Sequence, residues 1–209
     1  MTLMLPDEFK RKLTDELTWW SEKGRREKVK HWYQMRGWVN WGLNIYPLLQ
    51  PALNNFYPKL KGQQDSTLQI WINNSIHNDF TWPLNLLHNS SGVCLLKSIL
   101  WGINKALTII FCDSCPNGMG FWYPENKTGF ISPTPSDVNP SLIFYFEALY
   151  VLSALYNAHN RSSTGKEWII IYTNNLNTAD IFNSFLALPA YNHILKAAID
   201  ILVSGQHDL

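Results

Sequence analysis

From Pro6 to about residue 64, apolar positions recur at helical spacing. In "PDEFKRKLTDELTWW", Phe9, Leu13, Leu17 and Trp20 fall on one stripe behind a proline at the helix start, which predicts an amphipathic helix ended by Gly24. A second helix is predicted through "KVKHWYQMRGWVNWGLN". The following "YPLLQPALNNFYPKL" is punctuated by Pro47, Pro51 and Pro58. In "IWINNSIHNDFTWPLNLLH", Ile72, Ile76, Phe80 and Leu87 return to roughly helical spacing, with a kink expected at Pro83.

Near Asn104 the pattern changes. "KALTIIFCDS" is a continuous apolar run with β-branched residues, which predicts a strand covered on both faces. A hairpin centred on Asn117-Gly118 and a second strand follow in "CPNGMGFWYP", and "KTGFIS" gives a short third strand. "NPSLIFYFEALYVLSALYNA" reads as a helix with Asn139 as its N-cap and Pro140 at its first position. "EWIIIYT" is a fourth strand, and "NTADIFNSFLAL" and "NHILKAAIDILVS" are two more helices, the last ended by Gly205.

A fourth strand reached through a helical crossover lies parallel to an earlier one in the same sheet. Asp113, at the end of "LTIIFCD", and Asn174, at the end of "WIIIYTN", then meet at the sheet edge where open α/β folds place their chemistry. The crossover helix adds Glu147, flanked by Ile143, Phe144, Phe146, Tyr150 and Val151. A carboxylate there is costly unless paired or metal-bound. The alternative is that it reaches solvent or a tyrosine hydroxyl.

Composition adds a size and a charge asymmetry. The 209 residues are 46% hydrophobic and 16% charged, which supports a sizeable core and argues against global disorder. Ten tryptophans, most of them in the N-terminal half, fit either an aromatic core or a partner surface. The net charge of +1 conceals eleven Lys/Arg against six Asp/Glu in residues 1–61, and six against ten in residues 62–209. The stretch "EKGRREKVKHWYQMR" places Arg25, Arg26, Lys28 and Lys30 beside Trp32 and Tyr33, a combination able to follow a phosphate backbone. A solvated helix face of mixed charge explains the same residues.

The three cysteines give an odd count, and "CDSC" has redox or zinc spacing but closes a strand, with no second pair to complete a site. No secretory leader and no membrane-length apolar run are seen, so the expectation is an intracellular protein in the cytoplasm or nucleus, without membrane association.

The spaced motifs "FCDSCPNGMGFWYP", "FYFEALYVLSAL", "IIIYTNNLNTADIFNS" and "NHILKAAIDILVSGQHDL" resemble the ribonuclease H-like domain of retroelement polyproteins. The resemblance is nearest to elements that pair a reverse transcriptase with a tyrosine recombinase. "KHWYQMRGWVNWGLNIYPLLQPALNNFYPKL" and "NDFTW" are similar to the thumb and connection region preceding that domain.

The resemblance implies a helical thumb/connection-like region in residues 1–103. Residues 104–209 would form a ribonuclease H-like mixed sheet of order β-β-β-α-β-α, truncated before its fifth strand. It implies metal-dependent hydrolysis of RNA in an RNA–DNA hybrid, with carboxylates holding two Mg²⁺ ions about 4 Å apart. Asp113 would bridge both ions, Glu147 would ligate one, and position 174 would supply the third carboxylate, where the family reads Thr-Asp-Asn. This chain reads Thr173-Asn174-Asn175, and Asp208 in "GQHDL" falls too early to replace the fourth carboxylate. The expectation is a polyprotein fragment without nuclease activity that still meets nucleic acid and associates with the remaining polymerase subdomains or another chain. The alternative, from another class, is a non-catalytic nucleic-acid-binding or interaction module.

Overall fold

The structure, a computed structural model, describes residues 6–43, 45–89, 102–115, 117–134, 143–162 and 165–209. The chain forms two compact units, Met1–Ile99 and Leu100–Leu209.

The first unit is mainly helical: α1 (Asp7–Trp20), β1 (Arg26–Lys28), α2 (Val29–Leu43), a 3-10 segment at Pro47–Leu53, α3 (Phe56–Leu60), β2 (Gln69–Trp71) and α4 (Asn74–Asn89). The predicted stripes are its core. Leu13, Leu17 and Trp20 of α1 are buried, as are Ile76, Phe80 and Leu87 of α4 and the preceding Ile72. Their centre is an aromatic cluster in which Trp20 meets Trp32 edge-on at 5.0 Å and Trp32 lies 4.9 Å from Phe56. Quadrupole-matched contacts of this kind add to the large area such rings bury. Arg26–Lys28 is not helical, as the basic stretch suggests, but one strand of an antiparallel ribbon that pairs Arg26 with Trp71 and Lys28 with Gln69.

The second unit is a mixed α/β fold. Its elements are β3 (Thr108–Cys115), β4 (Gly118–Tyr123), β5 (Thr128–Ser132), α5 (Ile143–Arg161), β6 (Ile169–Thr173), α6 (Leu176–Ser184) and α7 (Asn192–Gly205). The sheet order is β5-β4-β3-β6; the first three strands form an antiparallel meander, and β6 runs parallel to β3. Gly118 already pairs with Cys115, one residue earlier than a turn centred on Asn117-Gly118 predicts. The expected caps Asn139 and Pro140 lie outside the described residues.

One face of this sheet carries Ile110, Cys112, Met119, Phe121 and Tyr123 against α5, with Leu195, Ala198 and Leu202 of α7 in the same core. On the other face side chains of β3 are exposed, so among the described residues β3 is not covered on both sides as its apolar run suggests: Ile110 and Cys112 are buried, while Phe111 and Asp113 between and beyond them are exposed. A run without polar interruptions hides the period-2 alternation that would have distinguished the faces. The same alternation puts Cys112 and Cys115 on opposite faces, one buried and one exposed, and both thiols are free. Burial pushes the Cys112 thiol up to about 12, which leaves it inert as a nucleophile.

Residues after α7 return to the sheet. Asp208 bridges Trp168 in parallel fashion, with Ile169 N donating to Asp208 O (2.8 Å) and Asp208 N to Glu167 O (2.9 Å). The carboxylate of Asp208 also takes Trp168 Nε1 and Lys166 Nζ, each at 2.8 Å. It therefore sits at the start of β6, the opposite end from Asn174. His207 reinforces the return: its Nδ1 accepts from Glu167 N (3.1 Å), so its Nε2 holds the proton and donates to His159 Nδ1 (2.9 Å). Gly205 has no Cβ for a packing reason, since one would overlap the His207 ring. Among the described residues, no single helix is long and apolar enough to cross a membrane.

Candidate functional site

The parallel register of β3 and β6 matches Cys112 with Thr173, so the next residues of the two strands, Asp113 and Asn174, emerge side by side. Asn174 Nδ2 donates to Asp113 Oδ1 at 3.0 Å, and both side chains are exposed. Asn175 turns back instead: its side chain caps α6 by accepting from Thr178 N at 3.1 Å. The adjacent asparagines thus divide the work, one holding a carboxylate and the other starting a helix.

Glu147 approaches from the covered side. It is only 8% exposed, and loss of solvent raises its pKa above the ordinary carboxylate value. The Asn175 side chain opposes that rise, the Asp113 charge adds to it, and the Ser114 and Thr178 hydroxyls oppose it weakly. Those hydroxyls lie close without completing the contact: Glu147 Oε2, Ser114 Oγ and Thr178 Oγ1 are all buried with no hydrogen-bond partner. The site therefore has two layers, an exposed amide–carboxylate pair above a buried carboxyl among unsatisfied hydroxyls. The structure thus brings together Asp113, Glu147 and Asn174, the three positions singled out in the sequence. Ser114 and Thr178 carry no signal in the sequence, and only the fold brings them to Glu147.

These donors do not fit two Mg²⁺ ions. A pair of divalent ions calls for several full negative charges on hard oxygens, and here there are two carboxyl groups. One already accepts from an amide N–H, and burial favours the protonated form of the other. Among the described residues, no group of three or more His, Cys, Asp or Glu is arranged to hold a metal ion.

The basic cluster of the first unit is only partly displayed. Trp32 is fully buried, with Nε1 donating to Glu27 O at 3.2 Å, so it is a core residue and not a nucleic-acid contact. Arg25 pairs with Glu22 and stacks 3.8 Å over Trp19. Tyr33 is exposed but its hydroxyl is held by Gln63 O at 3.0 Å. Arg26, Lys28 and Lys30 are exposed. The guanidinium of Arg26 lies 5.5 Å from the ring of exposed Trp71. Trp71 was not singled out in the sequence because its partner strand lies more than forty residues earlier.

No family model and no curated protein matches this chain. Among solved structures it is similar to a foamy viral protease–reverse transcriptase in complex with dsDNA, at 13% identity and a TM-score of 0.34. That match covers 89% of this chain and 36% of the viral one. Similarity at that level carries no argument about what the chain does.

Proposed function

We propose that the second unit is a ribonuclease H-like domain whose metal site has been replaced by an amide–carboxylate pair, and that the chain is part of a retroelement reverse transcriptase polyprotein. In this reading it engages nucleic acid without hydrolysing it. The observation that carries the reading is the convergence of Asp113, Glu147 and Asn174. They come from a central strand, its crossover helix and the next parallel strand of a β-β-β-α-β-α unit, the positions at which the resembled family holds carboxylates. With Asn174 neutral and bound to Asp113, no cation is held there to activate water. The test is incubation of the purified chain with Mg²⁺ and an RNA–DNA hybrid labelled on the RNA. The expected result is a retarded but uncut hybrid. RNA cleavage that Asp113→Asn abolishes would overturn the loss of activity.

A second reading, a nucleic-acid-binding module without ribonuclease ancestry, is favoured by the ribbon of the first unit. Arg26 and Lys28 share its exposed face with Trp71, joining cations that attract phosphate to a ring on which a base stacks. Binding that survives disruption of the second unit's site and fails on charge reversal of the ribbon would select this reading.

A further inference from the structure

β6 is the last strand of its sheet, and among the described residues no strand pairs with it on the side away from β3. The return of the chain after α7 shows what that side accepts. Asp208 lies parallel to Trp168, giving its N–H to Glu167 O at 2.9 Å and taking the N–H of Ile169 at 2.8 Å. Trp168 O points the other way and accepts from Leu107 N at 2.9 Å. Backbone groups of successive residues alternate between the two edges of a strand. Ile169 C=O, both groups of Ile171 and Thr173 N–H therefore continue the edge that Asp208 begins to pair.

The same register fixes the side chains. With Asp208 opposite Trp168, Leu209 falls beside Ile169 on the core face. The two line a groove of about 170 Å³ with Val151, Ile171, Ala179 and Phe182. The groove follows β6 as far as Thr173, and the described residues lining it include no Asp, Glu, Lys or Arg. An unpaired edge beside an uncharged, largely apolar groove suits an added strand: the main chain supplies hydrogen bonds and the groove takes alternate side chains.

We infer that β6 takes up an extended segment of another polypeptide as a further parallel strand, in line with Asp208 and Leu209. The pairing of Asp208 with Trp168 sets the direction. The segment carries aliphatic or β-branched residues opposite Ile171 and Thr173, over the groove, and accepts polar ones opposite Ile170 and Tyr172. In parallel register the N–H groups that reach β6 belong to the residues opposite Ile170 and Tyr172, just as Asp208 donates from opposite Trp168. The inference goes beyond the proposed function and does not rest on it, since an edge pairs through its backbone whatever the ancestry of the unit.

The experiment uses the full chain and a short fluorescein-labelled peptide in which valine alternates with threonine, flanked by lysines for solubility. Anisotropy reads the binding. Valine is expected over the groove, which makes the threonine amides the donors to β6. N-methylation of two threonine amides should weaken binding about tenfold or more, the order for two lost hydrogen bonds. N-methylation of two valine amides, which face solvent, should leave it within about twofold. Ala179→Phe fills the groove and should also weaken binding about tenfold. In the unaltered protein, peptide should slow hydrogen exchange at the Ile171 and Thr173 amides and leave Ile170 and Tyr172, which face β3, unchanged. That NMR measurement decides the matter if Ala179→Phe does not fold. Absence of binding at millimolar peptide, or equal loss from both methylation patterns, overturns the inference. Loss confined to the valine pattern marks antiparallel addition and overturns it too. Ile171 and Thr173 amides already protected in the free chain would also overturn it, and a chain that then sediments as a dimer assigns the edge to a second copy.

Discussion

Asn174 donates its amide to the carboxylate of Asp113 at 3.0 Å, joining the ends of two neighbouring parallel strands. The bond has a direct consequence for Asn174→Asp. Two carboxylates would then face each other at hydrogen-bond distance, and the lost bond plus the solvent-screened repulsion should destabilise the second unit by about 0.5–1.5 kcal/mol without metal. Mg²⁺ should restore much of that loss in the variant, because a cation now meets three carboxyl groups. The unaltered protein should melt at the same temperature with and without Mg²⁺. Thermal melts in millimolar MgCl₂ and in EDTA check this, and an equal Mg²⁺-dependent rise in both proteins would defeat it.

Glu147 predicts a dependence on pH. Its pKa is raised by desolvation first, so the folded chain keeps this proton at pH values where the unfolded chain has lost it. The corresponding stability is fully present below the ordinary carboxylate range and is lost as pH rises through the elevated value. Glu147→Gln preserves the shape and cannot ionise. It should be close to neutral in acid and more stable than the parent by roughly 1 kcal/mol at neutral pH, the order expected for a buried charge that the Asn175 side chain offsets only in part. Urea midpoints measured across that range test it; a variant less stable at neutral pH would show that the Asn175 side chain and the neighbouring hydroxyls outweigh the cost of burying the charge.

How much of this could be read beforehand depended on whether the signal was local. The stripe Leu13, Leu17, Trp20 and the spacing Ile76, Phe80 were legible because a helix repeats its inward face every three or four residues. Asp113 and Asn174 were legible as neighbours because crossover topology dictates a parallel pairing. The ribbon was not, since three-residue strands have no period to detect and Arg26 finds Trp71 only through the tertiary fold. Trp32 was misread because its basic neighbours suggested an exposed face. Yet Val29, Trp32, Met35 and Val39 form a helical stripe that could have assigned it to the core. The open face behind β3 was hidden for another reason: an unbroken apolar run records that a strand is apolar, while other elements decide which side they cover.

His207 predicts the opposite pH trend from Glu147. Burial lowers its pKa first and the neighbouring His159 lowers it further, while Glu167 and Asp208 oppose the shift. The folded chain therefore resists a proton that the unfolded chain accepts near the ordinary histidine value of about 6.5. Stability from this group is complete above that value and falls as pH drops towards the lowered one. Protonation would place a second N–H against the Glu167 N–H that now donates to Nδ1, releasing the Asp208 return to β6. His207→Gln should flatten the loss of melting temperature between neutral and mildly acidic pH, and an unchanged slope would assign that loss to other groups.

The ribbon and the core beneath it should respond in opposite ways to substitution. Arg26 and Lys28 are exposed and share a face with Trp71, so Arg26→Glu with Lys28→Glu should leave the melting temperature within a few degrees of the parent. If both cations meet phosphates, the same pair should weaken binding to nucleic acid of any sequence. It should also reduce the slope of log affinity against log salt by about 1.8 on duplex, or about 1.4 on a single strand. Trp32→Ala should do the reverse. Truncating a ring packed between Trp20 and Phe56 should cost roughly 3–5 kcal/mol, and affinity should fall only as far as the first unit unfolds. Fluorescence anisotropy over a salt series, paired with thermal melts, separates the two. A folded Trp32→Ala chain with a reduced salt slope would return Trp32 to the contact surface.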